Sequence, residues 1–128
     1  MKGNNKFKIN EKAYYCPVEL TLDIIGGKWK IIILWQLLSG TKRYGELRKL
    51  VSGITHKMLT QQLRELEDDG IINRKVYEVV PPHVEYSLTE RGEQLKPVLM
   101  LMGEWGSQFR TEIVSAEAIE ECESVTVS

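Results

Sequence analysis

Residues 54–70 read ITHKMLTQQLRELEDDG. Wound into an α-helix, this stretch separates into two faces. Leu59, Leu63 and Leu66 fall at i, i+4 and i+7 and form one apolar stripe. Lys57, Thr60, Gln61 and Arg64 fall at i, i+3, i+4 and i+7 and form a second stripe nearly opposite. Thr55 stands where an N-cap belongs, its hydroxyl able to satisfy a free N–H of the next turn. Gly70 supplies the stop, so the spacing predicts a helix over about Thr55–Asp69. Donors and amides crowd its start, whereas Glu65, Glu67, Asp68 and Asp69 crowd its end.

Working backward, Ser52–Gly53–Ile54 reads as a turn, and Tyr44–Leu50 as a short helix with Tyr44, Leu47 and Leu50 or Val51 on one side. Two helices joined by a short glycine-containing turn make a helix-turn-helix. Upstream, Lys28–Leu38 reads as a buried helix closed by Ser39–Gly40, although the β-branched run Ile31–Ile33 leaves a strand open. Gly26–Gly27 separates it from a helix over about Val18–Ile25 that Pro17 starts. Residues 1–15 read as a polar N-terminal arm.

Working forward, Ile71–Val79 and Val84–Leu88 read as two strands, with Val84, Tyr86 and Leu88 alternating with Glu85 and Ser87. Pro81–Pro82 belongs in the tip between them. A hairpin directly after the second helix of the pair is a wing. Thr89–Glu90 starts the last helical region, in which Leu95, Val98, Leu99, Met102, Trp105, Phe109 and Ile113 recur at helical spacing. Pro97 is read as too deep for a first-turn proline, which predicts a kink or break there. Residues 116–128 form an acidic tail. The fold class expected is α+β, mostly α: a winged helix-turn-helix over 16–115, with a two-stranded wing and a terminal dimerisation helix over about 89–115.

The partner follows from where the charges lie. Residues 1–80 carry 14 Lys+Arg and 9 Asp+Glu, a balance of +5, whereas residues 81–128 carry 3 and 9, a balance of −6. The net charge of −1 therefore hides a basic half that suits a polyanion met on one side. A helix start carries free N–H groups and partial positive charge. Thr55, His56, Lys57, Thr60, Gln61 and Arg64 add donors at that end, with the acidic cluster about three turns away. Such a helix fits the major groove of double-stranded DNA. Gln61 and Arg64 offer bidentate contacts to base edges, while Lys57 and Thr60 offer contacts to bases or phosphates. Arg74, Lys75 and His83 would let the wing touch the backbone or minor groove. The bland alternatives, a solvated helix face and edge-strand charge that blunts aggregation, stay open.

The last helix needs a partner of its own. Val98–Met102 is five consecutive apolar residues, so apolar side chains point all round it. One small domain covers one side of a terminal helix, and a second copy of the chain is the simplest cover for the other. Val98, Leu99, Met102, Trp105, Phe109 and Ile113 are the interface expected. A two-fold dimer places its recognition helices about 34 Å apart, or a multiple of that, and predicts an inverted-repeat operator.

Other classes find little support. At 42% hydrophobic and 27% charged, the chain reads as one globular domain, and no run reaches the ~18 apolar residues of a membrane span. The start, MKGNNKFKINEK, has lysines but no apolar segment behind them, so it does not read as a secretory signal. Two cysteines make no disulfide scaffold, and the compartment expected is the cytoplasm. His56 and His83 lack metal-ligand spacing, no phosphate loop or nucleophile elbow occurs, and Cys16 lacks a His–Asn pair. No enzyme, metal or cofactor is expected. Trp29, Trp35 and Trp105 read as core rather than as an effector pocket. Cys16 precedes Pro17 at a helix start, a setting that favours a thiolate, so it is the candidate redox sensor; a small residue with no redox duty is the alternative.

The segments CPVELTLDIIGGKWK (16–30), RYGELRKL (43–50), GITHKMLTQQLRELEDDGII (53–72), VPPHVEYSLTERG (80–92) and LKPVLMLMGEWG (95–106) together resemble the HxlR-type winged helix-turn-helix regulators of bacteria, relatives of the MarR regulators. The resemblance spans Cys16–Gly106 and leaves residues 1–12 and 116–128 outside it. It implies a homodimeric, sequence-specific transcription factor, with Thr55–Arg64 in the groove and Arg74–His83 as the wing. It also implies that the Cys-Pro position senses oxidants or electrophiles in some members. The rival reading is a winged helix used only for protein contact. Such domains usually lose the basic first turns that Lys57, Thr60, Gln61 and Arg64 supply here.

Overall fold

The computed structural model describes residues 7–9, 12–14 and 16–113, with side chains from Cys16 to Arg110. The remaining residues, including the tail with Cys122, and the side chain of Ile113, lie outside the described part. Within 1–15, where an arm was expected, two short strands pair antiparallel: β1 (Phe7–Ile9) and β2 (Lys12–Tyr14), in register Phe7 to Tyr14.

From Cys16 onward the chain runs α1 (Pro17–Ile25), α2 (Lys28–Leu37), β3 (Lys42–Arg43), α3 (Tyr44–Leu50), α4 (His56–Asp68), β4 (Ile72–Tyr77), β5 (His83–Leu88), α5 (Glu90–Glu93) and α6 (Lys96–Ile113). The β-branched run Ile31–Ile33 is helical, because Ile33, Leu34 and Leu37 all face the core from α2 and are almost fully buried. Burial of this size outweighs the small helix penalty of β-branching. Leu47 from α3, Leu59, Leu63 and Leu66 from α4, Ile72 from β4 and Leu99 from α6 complete the centre. Val51 and Ile54 flank the turn between α3 and α4 and are buried too, so the turn is packed as well as short.

The wing differs from expectation in one respect. β4 and β5 pair antiparallel from Ile72–Leu88 to Tyr77–His83, but β3 joins the other edge of β5 through Lys42–Tyr86 and Arg43–Glu85. The sheet is three-stranded, in the order β3-β5-β4. A two-residue strand has no alternation to read, and its pairing is set by a strand more than forty residues away. Gly70, at φ 75°, ends α4 and swings the chain into β4.

The terminal helix region is broken. Thr89 caps α5, accepting from the Gly92 N–H at 3.0 Å, and its hydroxyl also donates back to the Gly70 and Ile71 carbonyls, pinning α5 to the end of α4. α6 then starts afresh at Lys96. Pro97 is therefore a first-turn proline of a new helix, not a proline deep inside an old one. α6 lies close on α2 at Gly103: a Cβ there would sit 2.6 Å from the ring of Trp35. Leu99, one turn earlier, is 1% exposed. This corrects its expected place in a dimer interface, since it fills its own domain's core. Trp29 and Trp35 pack against the core as expected, but Trp105 is 64% exposed and does not. No described helix is long and apolar enough to cross a membrane.

Candidate nucleic-acid interface

The start of α4 is built as an outward-facing end. Thr55 adopts an extended backbone and its Oγ1 accepts the Met58 N–H at 3.1 Å, the N-cap the sequence predicts. No acidic residue stands in the first turn. The apolar stripe Leu59, Leu63 and Leu66 is turned inward. Thr55, His56, Lys57, Gln61 and Arg64 are consequently exposed, with Thr60 half-buried beside them. These six residues form one continuous surface on one helix.

Two of the six are held from α3. The Tyr44 hydroxyl meets His56 Nδ1 and lies 3.3 Å from Thr60 Oγ1, and the two rings meet edge-on at 5.3 Å. Tyr44 thus braces the candidate surface from outside α4, whereas periodicity placed it only on one side of its own helix with Leu47. It lies twelve residues before His56, and no local pattern links the pair. Arg43, the N-cap residue of α3, and Arg48 and Lys49 within it are exposed as well, cations that the reading of α4 alone did not include. The N-terminus of α3 is closed by Glu46, whose carboxylate accepts the Arg43 N–H at 2.8 Å.

The first carboxylate of α4, Glu65, is restrained. Glu65 Oε1 lies 2.6 Å from the ammonium of Lys30, a residue of α2 that is only 8% exposed. Hydrogen bonding from Lys30 leads the effects that hold the Glu65 carboxyl below its usual range, against the opposing effect of burial. Gln61 Nε2 donates to the other oxygen, Oε2, at 3.2 Å. Glu65 is thereby drawn toward Lys30 and kept charged, not left to repel a phosphate.

The wing carries its cations on two faces. Strand alternation puts Arg74 on the side of buried Tyr86, whereas Lys75 pairs across from Glu85, and Tyr77 across from His83, on the other side. Arg74 and Lys75 are both exposed. Lys75 Nζ lies 4.9 Å from the centre of the Tyr77 ring, Tyr77 stacks on His83 at 4.6 Å, and His83 Nε2 lies 3.2 Å from Glu85 Oε2. His83 is a partnered, half-buried member of this cluster rather than an isolated cation. At the tip, Val80 is almost fully exposed.

The other candidate residues lie on α1 and α6. Cys16 is an exposed free thiol at the N-cap position of α1, making no capping hydrogen bond. On α6, Val98, Met102, Trp105 and Phe109 are all exposed, and Val98, Leu101, Met102 and Trp105 line an open apolar groove. Trp105 and Phe109 stack with ring centres 4.3 Å apart. Val18 and Leu22 of α1 are exposed as well. Among the described residues no group of three or more His, Cys, Asp or Glu side chains is arranged to hold a metal.

Known proteins share this fold and much of its sequence. The profile of the HxlR-like helix-turn-helix family matches residues 24–114. The uncharacterized HTH-type transcriptional regulator YdeP of Bacillus subtilis (strain 168) is 57% identical over 108 residues, 84% of each chain. Among solved structures, the redox regulator HypR in its oxidized form is 57% identical and superimposes with a TM-score of 0.70 over 73% of this chain and 96% of its own. The reduced form of the transcriptional regulator YodB from B. subtilis is 37% identical, with a TM-score of 0.64, over 73% of this chain and 93% of its own.

Proposed function

The chain belongs to the HxlR-like helix-turn-helix family, a DNA-binding transcriptional regulator and not an enzyme, and from that premise we propose how it engages its operator. It acts as a homodimer. Each protomer inserts the start of α4 into the major groove, where Gln61 and Arg64 read base edges and Thr55, His56, Lys57 and Thr60 hold bases or phosphates. Arg74, Lys75 and His83 bring the wing against the backbone or minor groove, and Arg43 at the head of α3 with Arg48 and Lys49 within it add phosphate contacts. The observation that carries this reading is the start of α4: six polar residues on one surface, Thr55 capping the helix among them, with Glu65, the first carboxylate of α4, held by Lys30.

Dimerisation rests on α6. Val98, Met102, Trp105 and Phe109 follow the 4-3-4 spacing of a helix–helix seam. All four are exposed although the same helix buries Leu99. A second copy of that seam is the cover that matches it, and a two-fold axis through it makes the operator an inverted repeat.

The exposed Cys16 thiol favours a redox input as well. HypR is a redox regulator by name, and the thiol stands at the head of α1, whose Val18 and Leu22 lie exposed next to it in sequence.

Selection of binding sites from random duplexes, with and without an oxidant, tests the whole proposal. An inverted repeat is expected, with binding altered by oxidant in the wild type and not in Cys16→Ser. Affinity should fall with salt at a log–log slope near −0.9 per phosphate neutralised. No selected sequence and no salt dependence would instead favour a winged helix that contacts only protein.

A further inference from the structure

The Tyr44 hydroxyl ties the head of α4 to α3. It meets His56 Nδ1 and lies 3.3 Å both from the His56 carbonyl oxygen and from Thr60 Oγ1. An imidazole has two ring nitrogens, and each makes one in-plane hydrogen bond as donor or acceptor. With Nδ1 engaged by Tyr44, Nε2 is the atom that exposed His56 can offer a ligand, whichever way the ring is protonated. The hydroxyl suits both protonation states. It donates to a bare Nδ1, and it accepts from an Nδ1–H while turning its own proton to the His56 carbonyl or to Thr60. Position decides what Nε2 meets. At ~100° per residue, Lys57, Gln61 and Arg64 lie most nearly opposite the buried leucines of α4, while Thr60 and then His56 rotate toward the flank that Tyr44 braces. A helix in the major groove turns its outermost stripe to the base edges and its flanks to the phosphate walls.

Resting on the DNA-binding reading above, we propose that Tyr44 is a positioning residue that aims His56 Nε2–H at a backbone phosphate, and that this contact takes up a proton as it forms. A phosphate oxygen accepts, so Nε2 must carry a hydrogen, and the phosphate's negative charge favours the imidazolium over the neutral ring. The bound protein then holds more protons than the free one, and affinity rises as pH falls through the ordinary histidine range. The ionisable groups on α4 and on the elements packed against it leave the contact open. Glu46 of α3 accepts the Arg43 N–H, and Arg48, Lys49 and, on α4, Lys57 are cations. Lys30 of α2 is paired with Glu65, nine residues along α4 from His56. Arg74 and Lys75 of β4 belong to the wing. None of these makes a hydrogen bond or ion pair with His56 among the described residues.

Affinity of the full chain for its operator and for unrelated duplexes, measured between about pH 6 and pH 8, tests the proposal. Wild-type affinity should rise toward acid by about three- to tenfold for each half-site, the scale of one hydrogen bond. His56→Gln, which keeps a donor but cannot take the charge, should lose that rise. At the acid end its log–log salt slope should be shallower than the wild type's by about 0.9 for each half-site. Tyr44→Phe keeps the ring and loses only the hydroxyl. It should weaken binding at the acid end by the same factor, on operator and unrelated duplex alike, and should add no further loss in His56→Gln. Equal pH profiles for wild type and His56→Gln would overturn the proposal. So would a loss in either variant confined to one base position, or a Tyr44→Phe loss that persists in full in His56→Gln. A lowered melting temperature in Tyr44→Phe with unchanged affinity per folded protein would make Tyr44 structural only and overturn its positioning role. Failure of the wild type to bind any duplex would overturn instead the function on which the proposal rests. The comparison of wild type with His56→Gln decides the phosphate contact even if Tyr44→Phe folds poorly.

Discussion

Helices α4 and α6 each bury one face and expose another, and what they leave outside is opposite in kind. α4 puts Leu59, Leu63 and Leu66 into the core and presents Lys57, Thr60, Gln61 and Arg64. α6 puts Leu99 and the bare backbone of Gly103 against the domain and presents Val98, Leu101, Met102, Trp105 and Phe109. The first helix is finished energetically within its own domain, because its outer groups are content in water. The second is not, because contiguous exposed apolar surface of this kind marks an interaction site. The remainder of each helix suits the partner proposed for it: a polyanion for α4, a second copy of the same helix for α6.

Replacements on the two helices should therefore fail in different ways. The largest effect is expected at Leu63→Ala, which empties a buried site and should cost about 2–5 kcal/mol in denaturant unfolding, lowering DNA binding only through loss of folded protein. Next, Trp105→Ala should cost about 2 kcal/mol or more of association, seen as a rise in the monomer fraction by sedimentation with the fold of each protomer intact. Should sedimentation show an unchanged oligomer, the contrast between the helices loses its second half. Arg64→Ala should cost about 1–3 kcal/mol of operator affinity and relax one base position, with neither stability nor dimerisation altered. Thr55→Ala, which removes the cap of α4, should cost about 1 kcal/mol of stability in thermal unfolding. The smallest effect concerns pH. The Glu65 carboxyl is held below its ordinary value in the fold, so the stability it contributes is complete above the ordinary carboxyl range and is lost as pH falls through the lowered value. Glu65→Gln should flatten that acid limb of the stability profile.

Much of the architecture was legible in residue order. The helix over Tyr44–Leu50, the Thr55 cap, the Gly70 stop and the alternation of Val84, Tyr86 and Leu88 are local signals, and the structure follows them. The candidate site was half legible. Its exposed members came from the period of α4, but Tyr44, which holds His56 and Thr60, and Lys30, which holds the neighbouring Glu65, did not. A buried lysine reads in sequence as one more surface charge, and only its approach to Glu65 reveals its part. Leu99 and Val98 are adjacent and similar in character, so composition placed both in an interface. The side of α6 that meets Trp35 separates them.

Residue order by itself determined where helices start and stop, which stripe of α4 is greasy and which is polar, and that the hairpin follows the second helix of the pair. Those are properties of neighbours within about four residues, set by caps, turn residues and periodicity. Tertiary structure alone decided that Lys42–Arg43 becomes a third strand, that Leu99 rather than Val98 faces the core, and that Glu65 is tied to α2. Each depends on groups far apart in the chain coming within hydrogen-bonding or packing distance. Such encounters are fixed by the shared core, not by any one segment.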